Sequence, residues 1–422
     1  MGLLLQNVRL IDPSQGVDCV QDLLLEDGKV SQIGEHLSAD GVEVVDGTGL
    51  VAAPGLVDMH VHLRDPGLTY KEDVFTGCQA AAAGGVTSLL AMPNTKPAVD
   101  TPETVRDLLE RAKTADAAVY TAACITKGLQ GEELTDLAGL RQAGAIALSD
   151  DGRPVINTRR LLEALERAPA LGMVITAHCE DLYLASGGLM HEGEVSRRLG
   201  VPGIPAAAED CGTAREIAAA ASVGAPIHIC HVSTKGSVDL IRDAKARGVK
   251  VTAETCPHYL LLTDRALESR DADYRMNPPL RTEEDRLALI EGLKDGTLDA
   301  ISTDHAPHSP EEKADFCKAP NGSIGMETSL AATLTALDGQ LSLSEILAKM
   351  SWNPARILHI PAGTLAVGSP ADVVLFDPEQ RWTVDANALH GKSKNTPFKG
   401  MELKGKVAMT IFRGRVVYDG RQ

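Results

Sequence analysis

Two histidines separated by a single residue, His60 and His62, are the clearest chemical signal in the sequence. On a β-strand, side chains two residues apart point to the same face, so both imidazoles would converge on one point. Neutral imidazoles are preferred ligands of zinc and similar divalent ions. Arg64 falls on the same face, where its planar guanidinium could hold a carboxylate. The segment therefore predicts a metal beside a site for an anionic group, with a surface or packing role for Arg64 as the alternative.

The elements that must position these residues are found in the middle of the chain, where apolar runs alternate with helical patterns. Eight strand candidates lie at 55–61, 86–91, 117–123, 145–149, 173–178, 226–232, 249–254 and 299–303. Helical patterns lie at 101–115, 158–170, 209–223, 234–247 and 282–295. Eight strands alternating with helices predict the α/β class and a (β/α)8 TIM-type barrel. A doubly wound parallel sheet is the alternative.

The two ends of the chain differ from the middle, since both consist of short strand candidates joined by turns. These candidates lie at 3–10, 20–25, 30–33, 42–45, 372–376, 407–412 and 416–418. Alternating apolar residues broken by Gly and Asp predict β-hairpins. Because chain termini often lie close together, both ends could form one unit. We predict a small β-sandwich domain from 1–53 and 362–422, and a catalytic barrel from 54–361.

Residues that could bind a metal recur where the barrel strands end. They are His60, His62, Asp150 or Asp151, His178, His231 and Asp304. In a barrel these strand ends meet at one mouth. Six ligands are more than one tetrahedral zinc ion can bind, and they suit two ions about 3.5–4 Å apart. His60, His62 and Asp304 would hold one ion. His178 and His231 would hold the other, with an aspartate between the two ions. Asp304 could also take a proton from the attacking water and pass it to a leaving nitrogen.

Composition limits the partners and the compartment. The 422 residues include 41 Lys and Arg against 58 Asp and Glu, a net charge of −17 that argues against nucleic acid or an anionic membrane as partner. Eight cysteines without a C-x-x-C motif indicate a reduced, cytoplasmic chain. Cys179 and Cys230 adjoin predicted ligands, but strand alternation predicts that both belong to the core. No apolar run approaches the roughly 18 residues that a membrane span needs.

Longer motifs resemble those of the dihydroorotase family, of the long-chain type called class I, within the amidohydrolase superfamily. They extend along the chain as GLVDMHVHLR at 55–64, AMPNT at 91–95, SDDG at 149–152, CPHY at 256–259, NPPLR at 277–281 and TDHAPH at 303–308. The resemblance implies reversible hydrolysis of (S)-dihydroorotate to N-carbamoyl-L-aspartate in de novo pyrimidine (UMP) biosynthesis. It also implies one or two zinc ions per chain, and a barrel with a β-sandwich built from both termini.

The same resemblance implies roles for individual residues. Asp304 would be a ligand and the general acid/base, and Asp151 rather than Asp150 would be the remaining ligand. Substrate binding is implied for His62, Arg64, Asn94, Asn277, His308, Asn321 and Gly322. Arg64 and Asn94 would hold the substrate carboxylate, and Asn277 and His308 would contact other ring atoms. The backbone around Asn321 and Gly322 would close the pocket. The family often has an aromatic residue where Asn321 stands. From the residues alone, Asn94 and Asn277 lie beside prolines, so structural roles in turns are the alternative. His258 and His305 are predicted to support the ligands.

Two other functions are compatible with parts of the sequence. Hydantoin- and dihydropyrimidine-cleaving relatives bridge their metals with a carboxylated lysine, but no lysine occurs between Lys127 and Lys235. A hydantoinase or allantoinase is therefore the second candidate. A non-catalytic scaffold for a transcarbamoylase would be expected to lose ligands, whereas all six positions are filled. A homodimer and an association of the active enzyme with aspartate transcarbamoylase both stay open.

Overall fold

The computed structural model describes residues 2–421, and its first five strands come from the N-terminal end. These strands are β1 Leu3–Asp12, β2 Val17–Glu26, β3 Lys29–Gly34, β4 Glu43–Asp46 and β5 Val51–Pro54. β2 pairs antiparallel with β1 and with β3, whereas β4 and β5 lie parallel to β1. The predicted turn joining β2 to β3 has positive φ at both Asp27 and Gly28, as a tight hairpin requires.

Eight parallel strands follow and form the barrel. The next ten strands are β6 Leu56–Val61, β7 Val86–Ala91, β8 Ala118–Ala123, β9 Ala147–Leu148, β10 Val174–Ala177, β11 Met190–His191, β12 Gly203–Ile204, β13 Ile227–Ile229, β14 Val251–Thr255 and β15 Ala300–Ile301. β11 and β12 pair with each other, and the other eight are hydrogen-bonded in chain order. A bridge between Val61 and His305 joins the two ends of this sheet. The predicted (β/α)8 barrel is confirmed, and the doubly wound alternative is wrong.

Helices connect the strands. They are α1 Val74–Ala83, α2 Pro102–Arg111, α3 Leu137–Ala143, α4 Thr158–Arg167, α5 Leu182–Ala185, α6 Glu194–Leu199, α7 Ala207–Val223, α8 Lys235–Ala246, α9 Pro257–Leu261, α10 Glu283–Lys294, α11 Ser329–Ala336, α12 Leu343–Leu347 and α13 Asn353–Leu358. Thr101 caps α2 by accepting a hydrogen bond from the amide of Thr104, and Pro102 is its first residue. No helix within residues 2–421 is both long and apolar enough to cross a membrane.

The last three strands return to the N-terminal sheet. They are β16 Val373–Thr383, β17 Glu402–Phe412 and β18 Arg415–Asp419. β16 pairs antiparallel with β5, so strands from both ends form one sheet. Val30 of β3 and Met409 of β17 belong to one apolar cluster, so the sheet curves around a core of its own. Val374 and Phe376 belong instead to the barrel's cluster. These strands lie close to the predicted limits, and the division at 53/54 and 361/362 itself stays a prediction.

Candidate active site

The predicted metal ligands lie together at the carboxyl ends of the barrel strands. They are His60 within β6, His62 directly after it, Asp151 after β9, His178 after β10, His231 after β13 and Asp304 after β15. All six are buried, and none exposes more than 7% of its surface. The structure thus brings together every residue of the predicted set, from five different strands.

Asp151 lies at the centre of this cluster. Its Oδ1 atom is 3.2 Å from Nε2 of His60, 3.6 Å from Nε2 of His231 and 3.7 Å from Nδ1 of His178. Its Oδ2 atom is 3.5 Å from Nε2 of His62. Burial favours the neutral acid, but the charge of His60 and the close ring nitrogens of His231 and His60 outweigh it and hold the pKa of Asp151 well below its usual range. A single ionised carboxylate therefore faces both histidine pairs.

Asp304 completes the first histidine pair. Its Oδ1 atom lies 3.0 Å from Nε2 of His62 and 3.7 Å from Nε2 of His60. Burial opposes ionisation, yet the hydrogen bond from His62 and the charge of His60 hold the pKa of Asp304 at about 2. The carboxylate is therefore ionised at neutral pH and is able to accept a proton or to bind a cation.

The nitrogen and oxygen atoms of the cluster are arranged to bind a metal ion rather than to hydrogen-bond with one another. Nε2 of His60 and Oδ1 of Asp151 are buried without a hydrogen-bond partner within residues 2–421, because their 3.2 Å contact is not aligned as a hydrogen bond. Buried polar atoms without partners are costly unless another group satisfies them. Ligand atoms lie within 4.8 Å of one another in two sets that share Asp151, one with His60 and His62 and one with His178 and His231. These residues are positioned for metal binding.

The neighbouring acid, Asp150, points away from the cluster. Its carboxylate accepts hydrogen bonds from the amides of Ile125 and Thr126 and from the hydroxyl of Thr126. Asp150 thereby anchors the segment that follows β8. Its position supports the choice of Asp151 that the family resemblance implied and that spacing alone left open.

Backbone geometry at the strand ends turns several side chains into the site. His231 and Asp304 have positive φ values of 37° and 46°, a region that non-glycine residues rarely adopt. The turn at His231 also breaks strand alternation, because β13 ends at Ile229. Cys230 is buried as predicted, but its sulfur points inward, into a cluster with His60 and Glu254. Cys179 is buried as well.

The sequence analysis missed two acidic residues behind the histidines. Glu254, fully buried at the end of β14, lies with Oε1 3.2 Å from Nδ1 of His60 and with Oε2 3.3 Å from Nε2 of His228. Glu180 lies 3.4 Å from Nε2 of His178. A carboxylate that accepts from the outer nitrogen of a histidine orients the ring and makes it a better ligand. The position of Glu254 at a predicted strand end was the only available signal.

Other supports act through the backbone. Asp58, inside β6, accepts hydrogen bonds from the amide and hydroxyl of Thr303 and so holds the turn that carries Asp304. His305 accepts from the amides of Gly325 and Met326. Neither His305 nor His258 hydrogen-bonds a predicted ligand through its ring within residues 2–421, so their predicted support of the ligands is at most indirect.

A cavity of about 230 Å³ opens over the cluster. Its lining includes all seven predicted substrate-binding residues, which are His62, Arg64, Asn94, Asn277, His308, Asn321 and Gly322. Asn94 also contacts the ligands, with Oδ1 2.8 Å from Nδ1 of His62 and Nδ2 donating to Asp151 over 3.3 Å. Oδ1 of Asn277 is buried without a partner among the described residues. A larger cavity of about 870 Å³, at the amino ends of the strands, is lined by none of the predicted site residues.

One wall of the smaller cavity carries the basic groups. Arg64, only 9% exposed, donates from Nε to the carbonyl oxygen of Pro307, and its Nη2 lies 3.4 Å from Nε2 of His308. Gly322 has a φ of 134°, and a Cβ there would lie 2.8 Å from Cβ of Ala306 and 3.0 Å from Nε2 of His308. Only glycine fits this close approach. In this wall the buried guanidinium of Arg64 therefore lies beside the tightly packed loop that contains Gly322.

Known proteins resemble the chain over its whole length. Residues 49–237 match the family described as Dihydro-orotase-like, and residues 147–418 match the Amidohydrolase family. Dihydroorotases of Geobacter metallireducens and Syntrophus aciditrophicus are 51% and 50% identical to it, over 99% of this chain and 100% of each relative.

Solved structures give a broader likeness. The L-hydantoinase (dihydropyrimidinase) of Arthrobacter aurescens superimposes with a TM-score of 0.89 at 28% identity, over 99% of this chain and 96% of that one. The dihydropyrimidinase of Brevibacillus agri NCHU1002 does so with a TM-score of 0.87 at 29% identity, over 100% and 96%. The chain shares its fold with the hydantoinase and the dihydropyrimidinase, but its sequence identity to the dihydroorotases is higher. This chain belongs to the dihydroorotase family of the amidohydrolases.

Proposed function

We propose that the protein catalyses the reversible hydrolysis of (S)-dihydroorotate to N-carbamoyl-L-aspartate in pyrimidine biosynthesis. The observation that carries the proposal is the shared cavity, in which Arg64 stands beside the histidine and aspartate cluster. A ring carboxylate held by Arg64 would bring the cyclic amide to that cluster. Family membership supports the same reaction.

Zinc is the cofactor that we propose, with one or two ions per chain. His60, His62, His178 and His231 would hold it together with Asp151 and Asp304, because imidazole nitrogens and carboxylate oxygens are its usual ligands. When bound, zinc supplies Lewis acidity that activates water near neutral pH and polarises a carbonyl group. Asp151 is an unmodified carboxylate at the centre of the cluster, in the position that favours a dihydroorotase over a hydantoinase.

The protein's own groups would handle protons and orientation. In hydrolysis, Asp304 takes the proton of the attacking water on its carboxylate and delivers it to the departing ring nitrogen, and in cyclisation the transfers are reversed. Arg64 and Asn94 would hold the carboxylate of the substrate, as the resemblance implies. The resemblance implies other ring atoms for His308, but its Nε2 lies 3.4 Å from Nη2 of Arg64, so we place it at the carboxylate as well. Asn277 and the backbone of Asn321 and Gly322 would contact the rest of the ring, while His62 would contact both substrate and metal.

A direct assay tests the proposal. Purified protein should hydrolyse dihydroorotate and re-form it from N-carbamoyl-L-aspartate, while hydantoin and dihydrouracil, which lack the carboxylate, should react far more slowly. A chelator should remove the activity and zinc should restore it, with elemental analysis giving the metal per chain. Faster turnover of hydantoin than of dihydroorotate would favour the hydantoinase alternative, and inactivity in the presence of zinc would favour a scaffold.

The cellular context remains a proposal. A cytoplasmic location is supported by eight cysteines that are all unpaired. A homodimer and an association with aspartate transcarbamoylase stay predictions from the family resemblance, and sizing the protein alone and with the transcarbamoylase would test both.

A further inference from the structure

The ring of His308 lies among polar groups that decide which of its nitrogens carries a proton. Nε2 is 2.9 Å from the carbonyl oxygen of Asn321. Nδ1 is 3.2 Å from Nζ of Lys71 and 3.3 Å from Oε2 of Glu312. Both His308 and Lys71 are buried, with exposures of 5% and 7%. The protonation of this ring is therefore set by fixed neighbours.

Donor and acceptor chemistry distinguishes the two neutral tautomers. A carbonyl oxygen only accepts, so the 2.9 Å contact with Asn321 requires a proton on Nε2. An ammonium only donates, so Nδ1 must accept from Lys71. The opposite tautomer would set a lone pair against the carbonyl oxygen and an N–H against the ammonium. It would gain only the two longest contacts, with Glu312 at 3.3 Å and with Arg64 at 3.4 Å.

The doubly protonated ring is disfavoured as well. Burial, followed by the charges of Arg64 and Lys71, lowers the pKa of His308 to about 3, and Lys313 acts in the same direction while Glu312 opposes it. Lys71 is held in place by a 2.8 Å ion pair with Glu312. Glu312 also accepts a hydrogen bond from the hydroxyl of Tyr70. These are the charged and titratable groups that face the ring.

We propose that Lys71 is a positioning residue that fixes His308 as the neutral Nε2–H tautomer. The ring then presents one N–H donor at the cavity wall beside Arg64, where it can turn from the carbonyl oxygen of Asn321 to a substrate carboxylate. This role in substrate binding rests on the proposed function. The tautomer itself does not, because Lys71 and Asn321 define it without a substrate.

The first test is spectroscopic and needs no substrate. In protein labelled with ¹⁵N-histidine, long-range ¹⁵N–¹H correlation spectra distinguish protonated from unprotonated ring nitrogens, and His308→Gln identifies the signals of His308. We expect the proton on Nε2 in the wild type. In Lys71→Met, the loss of the ammonium should let Nδ1–H donate to Glu312, so the signals should move toward the other tautomer. Lys318→Met, which removes an exposed lysine near the same loop, should leave them unchanged.

Kinetics provide the second test. Lys71→Met should raise KM for dihydroorotate about tenfold with little change in kcat, since it weakens binding of the carboxylate rather than the chemical step. Lys71→Arg, which keeps a cationic donor, should restore both the spectrum and most of the affinity. Should Lys71→Met fail to fold, the wild-type spectrum still decides the tautomer.

The outcomes separate the two proposals. A wild-type proton on Nδ1, or a Lys71→Met spectrum identical to that of the wild type, overturns the inference whatever the activity. A wild type that has the stated tautomer but does not hydrolyse dihydroorotate overturns the proposed function, and with it the role of Lys71 in holding a substrate carboxylate.

Discussion

Glu254 lies 3.2 Å from Nδ1 of His60, fully buried inside the barrel. As an acceptor it keeps the other ring nitrogen, Nε2, directed at the metal cluster. Replacing such a carboxylate typically weakens metal affinity by about 10- to 100-fold. We therefore expect Glu254→Gln to bind zinc more weakly by about this factor, measured by competition between metal-depleted protein and a chromophoric chelator.

A matched control is available for this variant. Glu327 makes a similar contact with His390, at 2.8 Å, but neither residue lines the cavity over the cluster. Glu327→Gln should leave the zinc affinity unchanged. Equal affinities in the wild type and Glu254→Gln would show that the contact with His60 does not tune the metal site.

Arg64→Met should reduce kcat/KM for dihydroorotate by well over tenfold. Truncating one partner of a desolvated charge pair costs about 2–5 kcal/mol, and Arg64 is buried in the cavity wall. Steady-state kinetics in both directions measure the effect, with zinc content as the control for an intact metal site. An unchanged kcat/KM would remove the carboxylate role of Arg64.

Asp304→Asn should nearly abolish turnover in both directions, because an amide cannot accept and return the proton. General acid–base catalysis contributes about 10²- to 10⁴-fold, so a loss of at least that size is expected. Initial rates of hydrolysis and cyclisation measure it, and thermal unfolding shows whether the fold survives. Turnover near the wild-type rate in either direction would refute the proton-transfer role.

We predict that the folded protein loses stability in mild acid because of the buried ring of His191. Burial and the charge of Arg281, which donates to its Nδ1 atom over 3.3 Å, lower the pKa of His191 to about 4. In the unfolded chain the ring titrates near its ordinary pKa of about 6.5. As pH falls from 6.5 to 4, the unfolded state binds a proton that the folded state does not. The free energy of unfolding should therefore fall by about 1.4 kcal/mol per pH unit from this group.

The variant His191→Gln isolates that contribution. Urea unfolding at several pH values between about 7 and 4 should show a shallower loss of stability in this variant than in the wild type. His359→Gln removes an exposed histidine and should keep the wild-type slope. Parallel curves for the wild type and His191→Gln would contradict the assignment.

Much of the barrel could be predicted from the sequence because its buried strands are apolar runs, and five of the eight carry a candidate ligand at or just after their end. His178 directly follows β10, and His231 lies two residues beyond the end of β13. Glu254 could not be recognised, since it is a lone acid in a strand and its partners, His60 and His228, come from other strands. Cys230 lies in the same interior cluster as His228, two residues earlier, so the residue that departs from alternation is His231, whose positive φ turns it into the site. Strand alternation cannot reveal such a turn. In the sequence, Lys71 cannot be distinguished from a surface lysine, because its burial depends on tertiary packing.

The hydrogen bonds between Asp58 and Thr303 also constrain how the protein is made. They join residues 245 positions apart, so β6 and the turn that carries Asp304 can meet only after about three-quarters of the chain has left the ribosome. Contacts of such long range form slowly, because the loop between them must be closed first. His60 and His62 are therefore synthesised well before Asp304, the last of the six candidate ligands. A nascent chain stalled before residue 303 would lack Asp304, so the complete set of residues positioned for metal binding forms only late in synthesis.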